Sequence, residues 1–197
     1  MKFFLSAFLV MFLSVLGLPS LGLAGLIHYE AYLYDGGESP PNASPGIGST
    51  DVYYDDLAHT LLVQVTFSGL LGTTTASHIH AATATPGSGN AIVATTTPTF
   101  PGFPLGVTSG TYVHTLDLTD SGSWNPAFIT AHGGTPASAE SFFIPALNAR
   151  EAYLNIHTTF RPGGEIRGFL VAPIPASILL FGTGLAGLAG CRFRKKK

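Results

Sequence analysis

Cysteine is nearly absent from this 197-residue chain. The single residue, Cys191, lies at the end of the C-terminal apolar run. It cannot form an intramolecular disulfide and has no thiol-enzyme setting, so the compartment must be read from targeting signals. Positive charge is almost as scarce in the middle of the chain. Residues 25–171 hold all eleven acids but only Arg150, Arg161 and Arg167 as bases. A domain so acidic repels phosphate backbones, which excludes nucleic acid as a partner and favours divalent cations or neutral and basic surfaces. The middle also lacks a sustained helical period and an internal repeat. No Gly-x-Ser-x-Gly elbow occurs, the glycines at 87 and 89 do not open a helix as a phosphate loop would, and no carboxylate pair stands out for glycoside hydrolysis. No catalytic residue can be assigned, and the expectation is a binding or structural protein rather than an enzyme.

Charged residues make up only 10% of the chain and the mean hydropathy is +0.36. The excess apolarity sits at the two ends. Residues 1–24 have the layout of a secretory signal helix: Lys2, an uncharged apolar stretch, Pro19, then small residues before a cleavage point between Ala24 and Gly25. This predicts export by the Sec translocon and cleavage by signal peptidase. Residues 172–197 begin with Pro173 and Pro175, continue as a short, glycine-interrupted apolar helix, and end in Arg-Phe-Arg-Lys-Lys-Lys. A span needs about 20 apolar residues, which this run reaches only with its first few residues included. Its basic end would stay on the cytoplasmic side. The segment resembles the PEP-CTERM sorting signal of exopolysaccharide-making Gram-negative bacteria, with Pro173-Ile174-Pro175 in place of Pro-Glu-Pro. The resemblance implies processing near Pro173 and Pro175 by an exosortase-type transpeptidase. The destination would be the cell envelope or extracellular matrix, with the segment as a transient or permanent membrane anchor.

Between these ends, residues 25–171 are long enough to bury one core. Short runs of alternating hydrophobicity fall at 26–34, 49–54, 60–67, 75–82, 91–97, 111–118, 152–159 and 164–171. Leu61, Val63, Val65 and Phe67 show the period of two most clearly. Turn residues separate the runs. Trp124, Phe128, Phe142, Phe143 and Leu147 anchor a less regular stretch that fits one or two short helical turns. Seven or eight such strands predict an all-β fold, an antiparallel β-sandwich of immunoglobulin-like or superoxide-dismutase-like kind.

Strand parity selects the candidate site. His78 and His80 are two apart and share one face, while Ile79 takes the other. In the last hairpin Tyr153, Asn155 and His157 share a face, as do Glu165, Arg167 and Phe169 on the return strand. A loop over 160–164 would set His157 opposite Arg167 and Glu165 opposite Thr159. Isoleucines 79, 156 and 166 then face the core. Two strand histidines and a third from another strand can hold copper or zinc through neutral imidazole nitrogens, with Glu165, Arg167 or His132 as supporting partners. The competing reading is a polar network in which the histidines bond to backbone and Glu165 pairs with Arg167. Asp51, Asp55 and Asp56 lack any calcium-loop spacing and read as a solvated turn.

These pieces resemble the CHRD domain, first described in chordin and frequent in secreted bacterial proteins. The resemblance rests on Glu38, Pro40, Pro41, Ser44 and Gly46, on His78-Ile79-His80 after Gly69-Leu70, and on Tyr153-Leu-Asn-Ile-His157-Thr with Pro162-Gly-Gly-Glu165-Ile-Arg167-Gly168. It implies an extracytoplasmic β-sandwich with cell-envelope or exopolysaccharide components as partners. A local similarity of the histidine spacing to copper–zinc superoxide dismutases adds a metal-site analogy without implying the activity.

Overall fold

The computed structural model describes residues 25–173. The expected signal helix with Ala24, and the C-terminal signal beyond Pro173 with Pro175 and the expected apolar helix, lie outside those residues. Among the described residues no helix is long and apolar enough to cross a membrane.

The domain is predominantly β. Its strands are β1 (Leu26–Tyr34), β2 (Ile47–Asp55), β3 (Thr60–Ser68), β4 (Thr74–His80), β5 (Gly110–Asp117), β6 (Tyr153–Thr158) and β7 (Ile166–Phe169). Two helices, α1 (Pro126–Ala131) and α2 (Pro136–Asn148), lie between β5 and β6. The strands join in one curled, seven-stranded antiparallel sheet of order β4-β6-β7-β1-β2-β3-β5. Hydrogen-bonded pairing thus runs unbroken through all seven strands, where the sequence predicted two facing sheets.

Alternation decides which face is covered. Leu61, Val63, Val65 and Phe67 on β3, Tyr29 and Leu33 on β1, and Ile79, Leu154, Ile156 and Ile166 on the far strands all enter one buried cluster. Each fully buried aliphatic side chain of this kind contributes about 1.5–3 kcal/mol relative to exposure. The next residue along each strand faces outward, so Tyr32 and Tyr34 on β1 stand exposed.

Two local expectations are corrected. Residues 91–97 do not form a strand. They lie along the outer edge of β4 but make only isolated bridges, His80 with Val93 and Thr95 with Trp124. Threonine hydroxyls replace a ladder there: Thr95 Oγ1 accepts the Ile79 N–H at 2.9 Å and Thr99 Oγ1 accepts the Ser77 N–H at 2.9 Å. The edge is satisfied without a regular partner.

The stretch after β5 is also more helical than short turns. Pro136 opens α2, and Thr135 and Ser138 form a reciprocal capping box before it. Ala139, Phe143, Ala146 and Leu147 are buried at helical spacing, and the ring of Trp124 meets Phe143 edge-on at 5.5 Å. The stripe is easily missed because two of its four members are alanines. α2 also carries Glu140, which accepts from Tyr54 at 2.8 Å and binds His59 at 2.9 Å.

Candidate metal centre

β4 and β6 are antiparallel neighbours, and their register sets His78 opposite Asn155 and His80 opposite Tyr153. His157 lies two residues beyond Asn155 on the same face. Pairing therefore brings together three imidazoles separated by up to 79 positions in the chain. Ring centroids are 4.7 Å apart for His78 and His80, 4.6 Å for His78 and His157, and 5.9 Å for His80 and His157. One nitrogen from each ring lies within 4.8 Å of the other two.

Backbone carbonyls orient two of the rings. His80 Nδ1 is 2.8 Å from the Ala91 carbonyl, and His157 Nδ1 is 2.8 Å from the Pro162 carbonyl. A carbonyl can only accept, so each Nδ1 carries the proton and each Nε2 keeps a free lone pair. Both Nε2 atoms are buried without a protein hydrogen bond, as are both ring nitrogens of His78. Among the described residues the other buried side-chain atoms in this condition are Glu38 Oε1, Asn155 Oδ1 and Asp56 Oδ1. Asn155 is the cross-strand neighbour of both His78 and Arg167. Glu38 approaches Asn155 at Gly164, where φ is +127° and an added Cβ would collide with both side chains. Unpaired buried polar atoms are costly and normally rare, so their concentration around three imidazoles needs a cause.

Burial also fixes the protonation state. It lowers the His78 pKa to about 3, helped by the neighbouring rings of His157 and His80 and opposed by the nearby Pro98 carbonyl. It lowers His80 to about 4 and moves His157 in the same direction. All three rings are neutral near pH 7, the form that ligates metal.

The supporting residues are sorted differently from the sequence expectation. In the hairpin, Arg167 lies opposite Asn155 and not His157, a shift of two residues. The shift arises because Thr159 leaves the hairpin to donate its N–H to Thr73, widening the loop. An even shift preserves the face, so Arg167 stays on the histidine side. Its guanidinium stacks on the Tyr153 ring at 4.4 Å, and that ring lies parallel to His80. Arg167 also donates to the Gly37 carbonyl and, at 2.8 Å, to Asn90 Oδ1.

Glu165 does not turn toward the histidines and does not pair with Arg167. Its carboxylate accepts from Ser44 Oγ and the Leu71 N–H at 2.6 Å each, from Thr158 Oγ1 at 2.5 Å and from the Gly72 N–H at 3.1 Å. Burial raises the Glu165 pKa, but these four bonds outweigh burial and leave it below the usual carboxylate range. Arg167 instead faces Glu38 at 3.7 Å. Burial pushes Glu38 up to about 7, with Arg167 pulling it down. His132 is also elsewhere: it caps α1 and stacks on Phe142 at 3.6 Å. The Asp55 carboxylate accepts the Leu57 and Ala58 amides, as a turn aspartate does. A second grouping, His28, Glu30 and Asp51, lies on the surface of β1 and β2, and His28 Nε2 already bonds Asp51 at 2.7 Å.

Sequence reasoning placed Tyr153 and Asn155 on the histidine face but gave them no role, and Glu38 entered only through the family resemblance. A polar residue at alternate strand positions was the available signal for Asn155. Nothing local pointed to Glu38, which arrives from the loop after β1.

Comparison with known proteins gives one family. No curated protein and no solved structure matches the chain. The model of the CHRD domain matches residues 29–170, which takes in all three histidines and nearly the whole described sheet, and the chain therefore belongs to the CHRD domain family.

Proposed function

We propose that this domain binds one borderline d-block cation, copper or zinc, through His78, His80 and His157. The observation that carries the reading is the convergence of three neutral imidazoles, those of His78 and His80 buried and that of His157 half-buried, with Nε2 of His80 and His157 and both nitrogens of His78 unpartnered in the protein. Nitrogen donors bind such ions at about 2.0–2.1 Å, so donors less than 4.8 Å apart need little movement to share one. The two carbonyl contacts would hold their ligand rings in place, as hydrogen bonds behind metal-bound histidines commonly do. Copper would supply one-electron chemistry there, and zinc a fixed positive charge.

The test is metal loading of the purified protein with copper(I), copper(II) or zinc, followed by dialysis and elemental analysis. We expect one ion per chain, lost in His80→Ala and retained in a variant of a half-buried histidine outside the cluster, His114→Ala. Metal content no higher than that of His80→Ala under every loading condition would sink the proposal.

A second reading is a binding or structural module of the cell envelope or exopolysaccharide matrix. It is favoured by the exposed tyrosine pair on the outer face of β1. The terminal segments support export by Sec and signal peptidase and sorting by an exosortase-type enzyme. The sandwich expected from strand spacing also remains our reading of how the sheet closes: β3 and β4, near opposite ends of its order, share one core cluster.

A further inference from the structure

Beside the histidines, on the same outer face, the sheet carries a cleft of about 350 Å³. Tyr32, Tyr34, Glu38, Arg150 and Arg167 line it, with the glycine-rich turn at residues 87–89 along one side. Its composition differs from that of the domain as a whole. The domain has eleven acids and three arginines, yet two of those arginines line this one cleft. Arg150 forms no ion pair among the described residues, despite the abundance of acids. Arg167 uses Nε and Nη1 in hydrogen bonds and leaves Nη2 without one among the described residues. The sole carboxylate there, Glu38, is buried and holds its proton more readily than an ordinary glutamate.

The aromatic side is equally distinct. Tyr32 and Tyr34 are 59% and 43% exposed, with ring centroids 5.8 Å apart and planes inclined by 29°. Tyr34 and Arg167 are cross-strand partners and line the same cleft, which brings the aromatic pair and an arginine to one site. Exposed aromatic faces pack against the C–H faces of pyranose rings, and guanidinium groups bind carboxylates through paired hydrogen bonds.

We propose that this cleft binds a uronate residue of an acidic polysaccharide, its carboxylate held between Arg150 and Arg167 and its ring against Tyr32 and Tyr34. The inference gives the binding-module reading a ligand class and does not depend on the metal. It also sets the sugar site close to the candidate metal centre, since Arg167 stacks on Tyr153 and Tyr153 on His80.

The test is calorimetric titration of the purified protein with glucuronate, acetate, glucose, polygalacturonate and dextran. Glucuronate should bind more tightly than acetate or glucose, and polygalacturonate more tightly than dextran. Arg150→Gln should weaken glucuronate by roughly tenfold, the usual scale for losing a charge-assisted contact, and Tyr32→Ala by roughly three- to tenfold, the scale of lost aromatic packing. Both residues are exposed, and unchanged thermal melting would show that the fold is kept. Arg150→Gln alters neither backbone strain nor a ligand of the candidate metal centre. Equal binding of acetate and glucuronate would overturn the sugar assignment. Equal binding of dextran and polygalacturonate would overturn the acidic ligand while leaving a glycan-binding module. No binding of either polymer, or binding indifferent to both variants, would overturn the site altogether.

Discussion

The imidazole of His80 lies parallel to the ring of Tyr153, with centroids 4.7 Å apart and 7° between their planes. The two residues are cross-strand partners, and their stack joins the histidine cluster to Arg167. Tyr153→Phe keeps the stack and removes only the hydroxyl, which accepts the Ala91 N–H at 3.2 Å. It should cost about 1 kcal/mol of stability and leave metal stoichiometry intact. Tyr153→Ala opens a cavity under both His80 and Arg167 and should cost about 3 kcal/mol or more. Chemical denaturation with parallel metal analysis checks both; equal losses for the two variants would show that the stack is not what matters.

Lowered imidazole pKa values set the pH response. A histidine in the unfolded chain titrates near 6.5, while His78 and His80 in the folded protein titrate at about 3 and about 4. Below pH 6.5 the unfolded state therefore binds more protons than the native state. Stability of the metal-free protein should fall as pH drops from 6.5 toward 4, and level off only below the folded values. Metal should stay bound well below pH 6.5, because protons compete with it only near the lowered values. A loss of metal with a midpoint at pH 6 to 7, in protein still folded by circular dichroism, would contradict this.

Glu165 separates a structural role from a metal-supporting one. Its carboxylate ties together Ser44, the 71–72 amides and Thr158. Glu165→Gln replaces an acceptor-only group with one that must also donate, and should destabilise the protein by about 3 kcal/mol. Metal stoichiometry in the surviving folded fraction should be unchanged. Loss of metal at full stability would restore Glu165 to the metal site.

Export can be tested apart from binding. Replacing Pro173 and Pro175 together should leave a longer, membrane-retained product if an exosortase-type enzyme acts there. Identical mass and location for the variant and the wild type would refute processing at that point.

The core was largely legible in the chain itself. A period of two assigns each residue of a half-buried strand to a face, so Ile79, Ile156 and Ile166 were placed inside without any knowledge of strand order. The same parity put His78, His80 and His157 outside. Legibility ended where a residue's partner is not its strand neighbour. Glu165 has the parity of a site residue, but the loops at 42–44 and 71–72 present it with better donors. The stretch at 91–97 has strand composition, but threonine side chains answer β4's amides instead of a ladder. α2 buries alanines, whose contribution to a hydrophobic pattern is small.

By itself the sequence determined the faces of the strands, the acidity of the domain and the three imidazoles as candidates, because alternation and charge are properties of short segments. Only the tertiary structure decided that β4 lies beside β6, which places the three rings within reach of one ion. It also decided that Arg167 joins Glu38, Asn90 and Tyr153 while Glu165 does not, and that Arg150 arrives at the same cleft from the end of a helical segment. Those outcomes depend on strand order and on loops crossing the sheet, and pairings between distant segments leave no local pattern in the chain.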